Sequence, residues 1–252
     1  MNTATGSTAS KVPEVTLLFW IIKIAATTLG ETGGDTVSMS MDLGYLAATA
    51  IFAALFVAAV GIQIAAKRFR PFVYWFTIIA TTTVGTTLAD FATRSLGIGY
   101  SGGSALLLVL LIVSLAVWYR TTGTVSVESV RTPRSEMYYW LTIMTSQTLG
   151  TALGDWTADT AGFGYLGAAV LFGGLLLVVL GAYLWTGVSH TLLFWAAFVL
   201  TRPLGAVVGD FLDKPIASGG LDLSRASASA VLLVFIVACI ALFKHRPATT
   251  SH

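Results

Sequence analysis

Four aspartates stand at the same place in four copies of one phrase: a tryptophan, nine residues, a glycine, four residues, an aspartate. The copies are Trp20–Gly30–Asp35, Trp75–Gly85–Asp90, Trp140–Gly150–Asp155 and Trp195–Gly205–Asp210, with no insertion or deletion inside any of them. Carboxylates repeated in register within apolar sequence are the chemistry of a cation site. His190, His245, His252 and Cys239 all fall away from the aspartates. With neither imidazole nor thiolate at hand, oxygen ligands suit Mg²⁺, Mn²⁺, Ca²⁺ or monovalent ions better than Cu⁺ or Zn²⁺.

A polar stripe leads inward from these acids. After Trp20, steps of about four residues give Lys23, Thr27, Glu31 and Asp35, which share one face of a helix. The matching positions are Ile78, Thr82, Thr86, Asp90; then Ile143, Gln147, Thr151, Asp155; then Phe198, Arg202, Ala206, Asp210. If the four helices surround one axis, these positions form layers. Aspartates are outermost, Glu31 lies one turn in, then Thr27, Thr82, Gln147 and Arg202, and Lys23 is innermost. Asp159 continues the stripe beyond Asp155. Ionisable groups inside spans are costly and mark a pathway or its counter-charges. Glu31, Asp35, Asp90, Asp155 and Asp210 are therefore the candidate metal ligands. Lys23, Thr27, Thr82, Gln147, Asp159 and Arg202 are the candidate pathway and counter-charge residues. Lys23 has an alternative, snorkelling to the headgroups. Pro203 removes a backbone donor and should break or kink the fourth motif helix beside Arg202.

The elements that carry this stripe follow from composition. Of 252 residues, 56% are apolar and only 10% charged, where soluble domains carry about a quarter charged. Eight apolar segments stand out, near 15–33, 43–66, 71–89, 97–119, 137–154, 162–185, 191–209 and 225–243. Each is long enough to cross roughly 30 Å of hydrocarbon as a helix, and no ten-residue alternation supports a β-barrel. The N-terminal stretch lacks the pattern of a removable signal peptide. The expectation is an all-α integral membrane protein, one domain over 1–252. Its eight transmembrane helices would form four parallel two-helix repeats (about 12–69, 70–120, 134–188 and 189–246) in two four-helix halves, joined by a cytoplasmic loop at 120–136.

Charge orients the chain. Nine basic residues, Lys67 among them, face three acidic ones on the side of the termini, while three basic residues face nine acidic ones on the aspartate side. The positive-inside rule puts both termini in the cytoplasm and the aspartates outside, where acids concentrate cations. Trp20, Trp75, Trp118, Trp140, Trp185 and Trp195 then fall near the inner interface and read as an aromatic belt. A cage for an organic cation is the alternative. The glycines and aspartates also have a structural reading, as helix ends and caps.

The strings FWIIKIAATTLGETGGD, TLGTALGDWTADT and PLGAVVGDF resemble a bacterial family of uncharacterised membrane-anchored proteins built from a membrane repeat of unknown function. The resemblance spans essentially all eight segments and implies the four-repeat architecture. The string GETGGDT is also loosely similar to the Glu-x-Gly-Asp motifs of a cation-exchanger family with manganese and calcium substrates. That family uses two inverted copies, from which four parallel copies depart.

The favoured reading is an inner-membrane permease or exporter for a small cation, such as Mn²⁺, in the bacterial cytoplasmic membrane. Glu31 would serve as relay or ligand and could couple transport to protons. The alternatives are a non-transporting scaffold that binds a partner or lipid, with the basic loop on anionic headgroups, and an organic-cation binder. No nucleophile motif or soluble domain suggests an enzyme. No cofactor beyond a bound cation and no nucleic acid is expected; the partners are the bilayer and the cation. A homo-oligomer is compatible with the sequence but nothing in it supports one.

Overall fold

A computed structural model describes residues 10–66 and 68–248. The signal-peptide reading of the first nine residues, Lys67 of the inner charge set and His252 lie outside the described residues. Eight helices of 18 or more residues follow one another: α1 (Leu17–Asp35), α2 (Gly44–Ala65), α3 (Pro71–Asp90), α4 (Tyr100–Thr122), α5 (Pro133–Asp155), α6 (Gly164–Trp185), α7 (His190–Asp213) and α8 (Arg225–Leu242). Local chemistry sets several starts. The Thr16 hydroxyl accepts from the Phe19 amide, Pro71 and Pro133 open their helices, and Thr132 and Ser135 cap each other reciprocally. Gly44, Gly99 and Gly164 take positive φ where the chain turns into α2, α4 and α6.

The odd helices form the inside. They close into a ring, α1 against α3, α3 against α5, α5 against α7 and α7 against α1. Each even helix lies outside and packs on the odd helix of the next repeat: α2 on α3, α4 on α5, α6 on α7, and α8 back on α1. Helices α1–α4 and α5–α8 are thus interlocked across both seams of the ring.

Six helices (α2, α3, α4, α6, α7 and α8) are long and apolar enough to cross a membrane. On α4, α6 and α8 large apolar side chains such as Leu106, Val113, Val170, Leu177, Val231 and Val234 remain exposed, a surface suited to lipid. α1 and α5 are more polar because they carry Lys23, Glu31, Gln147 and many threonines and serines, and those side chains are buried within the ring.

The repeated glycine explains how the ring closes so tightly. A Cβ at Gly30 would stand 2.3 Å from Thr82, at Gly85 3.0 Å from the Gln147 Cβ, at Gly150 2.2 Å from Arg202 and at Gly205 2.1 Å from Thr27. Each motif glycine is the floor on which the next helix lays its own third-layer side chain. One turn on, Gly34, Gly154 and Gly209 meet Thr86, Ala206 and Glu31. The glycines of the motif form a small-xxx-small packing stripe inside the helix, and this stripe holds the four helices parallel and in register.

The belt reading of the tryptophans is corrected. Trp75, Trp118, Trp140 and Trp195 are buried in the core, and only Trp185 is widely exposed, at 83%. Every motif tryptophan follows another aromatic residue, and these pairs stack around the axis. Centroid distances are 5.4 Å for Phe19–Trp75, 5.6 Å for Tyr74–Trp140, 6.1 Å for Tyr139–Trp118, 5.8 Å for Trp118–Trp195 and 5.8 Å for Phe194–Trp20. The Tyr74 and Tyr139 hydroxyls meet at 2.6 Å. This collar closes the tryptophan end of the ring. Burying large rings there outweighs their use at the interface, since each removes a large apolar area from solvent.

The connection at 120–136 is shorter and less free than expected. α4 runs to Thr122 and α5 begins at Pro133. Between them Val127 and Val130 are buried, and the Trp195 indole donates to the Val125 carbonyl at 3.0 Å. Across the same end, the segments around Pro13 and Pro247 pair antiparallel, and Lys11 meets buried Glu136 at 2.7 Å. The loop is part of a plug at the tryptophan end of the ring.

Candidate functional site

At the opposite end all four motif aspartates are buried and carry ion pairs. Asp35, Asp90 and Asp155 are the last residues of α1, α3 and α5, each followed by a five-residue π-helical turn, and Asp210 lies within α7. None of the first three caps the π turn that follows it with its side chain. The capping reading fails, because the side chains turn to the bases instead. Arg94 Nε lies 2.9 Å from Asp90 and its Nη2 3.4 Å from Asp155. Lys214 Nζ lies 3.0 Å from Asp210 and 2.6 Å from Asp35. One base four residues after the aspartate, in the second and fourth copies, therefore neutralises its own acid and that of the next helix around the ring.

Lys214 stands just past the end of α7. Burial alone would lower its pKa, but Asp210 and Asp35 beside it raise it above the ordinary lysine value, so it stays an ammonium. Arg225, at the start of α8, adds a contact to Asp213 at 3.1 Å and stands 3.9 Å from Asp35.

One turn inward, Arg202 Nη2 lies 3.0 Å from Glu31 Oε2 and 2.6 and 2.5 Å from the hydroxyls of Thr86 and Thr151. Thr86 also donates to Glu31 at 3.2 Å. These groups come from all four odd helices, so the pair of acid and guanidinium ties the ring at its centre. Arg202 does neutralise Glu31 across the bundle. The kink expected at Arg202-Pro203 does not break α7, which continues through Pro203 to Asp213. Neighbouring helices hold it there, as they do for prolines in packed membrane helices.

Lys23 does not snorkel. It is fully buried, with Nζ 3.4 Å from Gln147 Oε1 and 4.1 Å from the Phe198 ring centroid. Thr27 bonds to the Ile24 and Thr201 carbonyls, and Thr82 lies against Gly30. Asp159 is exposed on the π-helical turn beyond Asp155, outside the buried network. Glu31, Asp35 and Asp210 come together: one carboxylate oxygen from each lies within 4.8 Å of the others. Asp90 and Asp155 form the second pair around Arg94.

The residues missed in the sequence are Asp213, Arg225, and the Lys11–Glu136 pair. The bridging role of Arg94 and Lys214 had a signal, their shared position four after the aspartate. The aromatic residue before each tryptophan was an equally regular signal for the collar.

These features define a helical membrane protein of internally repeated design with a charged core. The family description Repeat of Unknown Function (DUF347) matches four times, over residues 18–69, 73–124, 138–189 and 193–247, and the chain belongs to that repeat family. Each match spans most of one odd helix and the even helix after it. No curated protein and no solved structure matches the chain.

Proposed function

We propose that this protein is a permease for a small cation in the bacterial cytoplasmic membrane, its eight helices all spanning, with the termini inside. A divalent metal such as Mn²⁺ is the substrate class that the donors favour. The observation that carries this is the place of Lys214: its ammonium sits between Asp35 and Asp210, beside Glu31, where three carboxylate oxygens converge within 4.8 Å. Lys214 is a cation on a four-carbon tether. Its stem can swing out from the end of α7, and a divalent ion entering from the acidic side would take its place between the two carboxylates. Arg94 between Asp90 and Asp155 is the equivalent stopper of the other half-ring. The aromatic collar and inner plug give the closed inner end that such a carrier alternates with its outer one.

The test is flux of Mn²⁺, Ca²⁺ and Mg²⁺ into and out of vesicles containing the purified protein. Flux that falls at least about tenfold with Asp35→Asn plus Asp210→Asn supports the reading, since each lost charged ligand contributes on the order of 1.5–3 kcal/mol. Undiminished flux in that variant and in Glu31→Gln sinks it.

The complete pairing of the motif aspartates favours a second reading, a non-transporting scaffold in which the network is structural. It predicts no flux in the unsubstituted protein and lower stability in the aspartate variants.

A further inference from the structure

The inner half of the charged core is rich in donors that nothing among the described residues satisfies. Arg202 spends one nitrogen, Nη2, on Glu31 and the threonines; its Nε and Nη1 have no hydrogen-bond partner among the described residues. Gln147 accepts from Lys23 through Oε1, while its Nε2 is likewise without a partner, as is the Thr82 hydroxyl. Lys23, Thr82, Gln147 and Arg202 are all fully buried. They share a level, because Thr82, Gln147 and Arg202 each rest on the motif glycine of the neighbouring helix, and Lys23 reaches Gln147 from one turn below.

We propose that Lys23, Gln147 and Arg202 bind a single halide-sized anion on the axis of the ring. Two basic side chains lie in this inner half, and Glu31 is the carboxylate that answers Arg202. Lys23 has a carbonyl oxygen and a ring face and, among the described residues, no carboxylate within ion-pair distance. A buried charge without a counter-ion is costly, and a buried unpaired N–H adds to that cost.

The donor types choose the ligand. A protonated Lys Nζ, Arg Nε and Nη1 and an amide Nε2 can only donate, so the guest must accept from all of them. A water accepts from at most two donors and brings no charge to set against the basic side chains. A monatomic anion accepts from every direction and cancels the surplus charge. A monatomic ion is also the smallest guest that meets this donor set, which makes a larger oxyanion the control. The site touches the outer carboxylates only through the Arg202–Glu31 pair, and its halide readout requires no cation.

The test uses the purified full chain in detergent, first dialysed into gluconate. Thermal unfolding is then followed as chloride or bromide replaces gluconate at constant ionic strength, with sulfate as the oversized control. The expected result is a saturable rise of the midpoint with either halide and none with sulfate. Lys23→Met should weaken half-saturation roughly tenfold or more, the loss of one charge-assisted bond, and Lys23→Arg should restore it. Bromide anomalous scattering from crystals of the unsubstituted protein locates the ion without any variant that has to fold. Density between Lys23 and Arg202 supports the proposal. Bromide only elsewhere, no halide dependence, or an equal dependence in Lys23→Met overturns it.

Discussion

Gly150 of α5 is the seat of Arg202 of α7: a Cβ on the glycine would stand 2.2 Å from Arg202 Cγ. The closeness lets a long charged side chain lie flat across the helix interface and reach Glu31 on α1. Gly150→Ala should therefore destabilise the protein by about 1–3 kcal/mol, the usual cost of overpacking. Gly61→Ala, in α2 with open space around it, should be neutral or slightly stabilising. Thermal unfolding of the two variants in detergent checks this, and equal midpoints would remove the packing role of the motif glycine.

The Glu31–Arg202 pair invites a double-mutant cycle. Either Glu31→Gln or Arg202→Met alone leaves a buried charge without its partner, a loss of about 3–5 kcal/mol. The double variant should recover a large part of that loss. Additive single effects would mean that the two groups do not couple.

Trp75→Ala should cost about 3–5 kcal/mol, as expected for a large ring taken from a packed core. Trp185→Ala should change stability by less than about 0.5 kcal/mol, because Trp185 faces outward. Unfolding midpoints that ranked the two the other way would restore the belt reading.

Glu136→Gln should loosen the inner plug. Lys11 would lose its carboxylate partner and keep only the Gln63 and Ile64 carbonyls. Hydrogen exchange should speed up at the Val12–Ala248 and Glu14–Arg246 backbone bonds and not at the middle of α3. Unchanged exchange at those amides would show that the ion pair does not hold the plug.

Much of the interior was legible because repetition acts as an internal alignment. Four copies aligned without gaps gave the layers, and the layers gave Glu31 with Arg202 across the axis. The same comparison shows why only α1 and α5 fall short of a spanning composition: they hold the polar residues that the ring buries. What stayed hidden depended on partners from distant sequence. A tryptophan near an interface looks alike whether it faces lipid or the next helix, and only packing against Phe19, Tyr74 or Trp118 decides it. Arg94 and Lys214 follow their aspartates by four residues, and only the π-helical turn after α3 and the end of α7 fold both bases back onto the acids. Lys11 and Glu136 are 125 positions apart, and no local pattern could join them.

The packing of α8 on α1 has a consequence for how such a chain can be cut. With Ala248 donating to Val12 and Glu14 to Arg246, the two described ends lie side by side, and every even helix clasps its successor without exception. The molecule is a closed necklace of four beads whose clasp is one of four near-equivalent joints. A gene that began at the third bead and ended at the second, with 248 joined to 10 by a short linker, should build the same necklace.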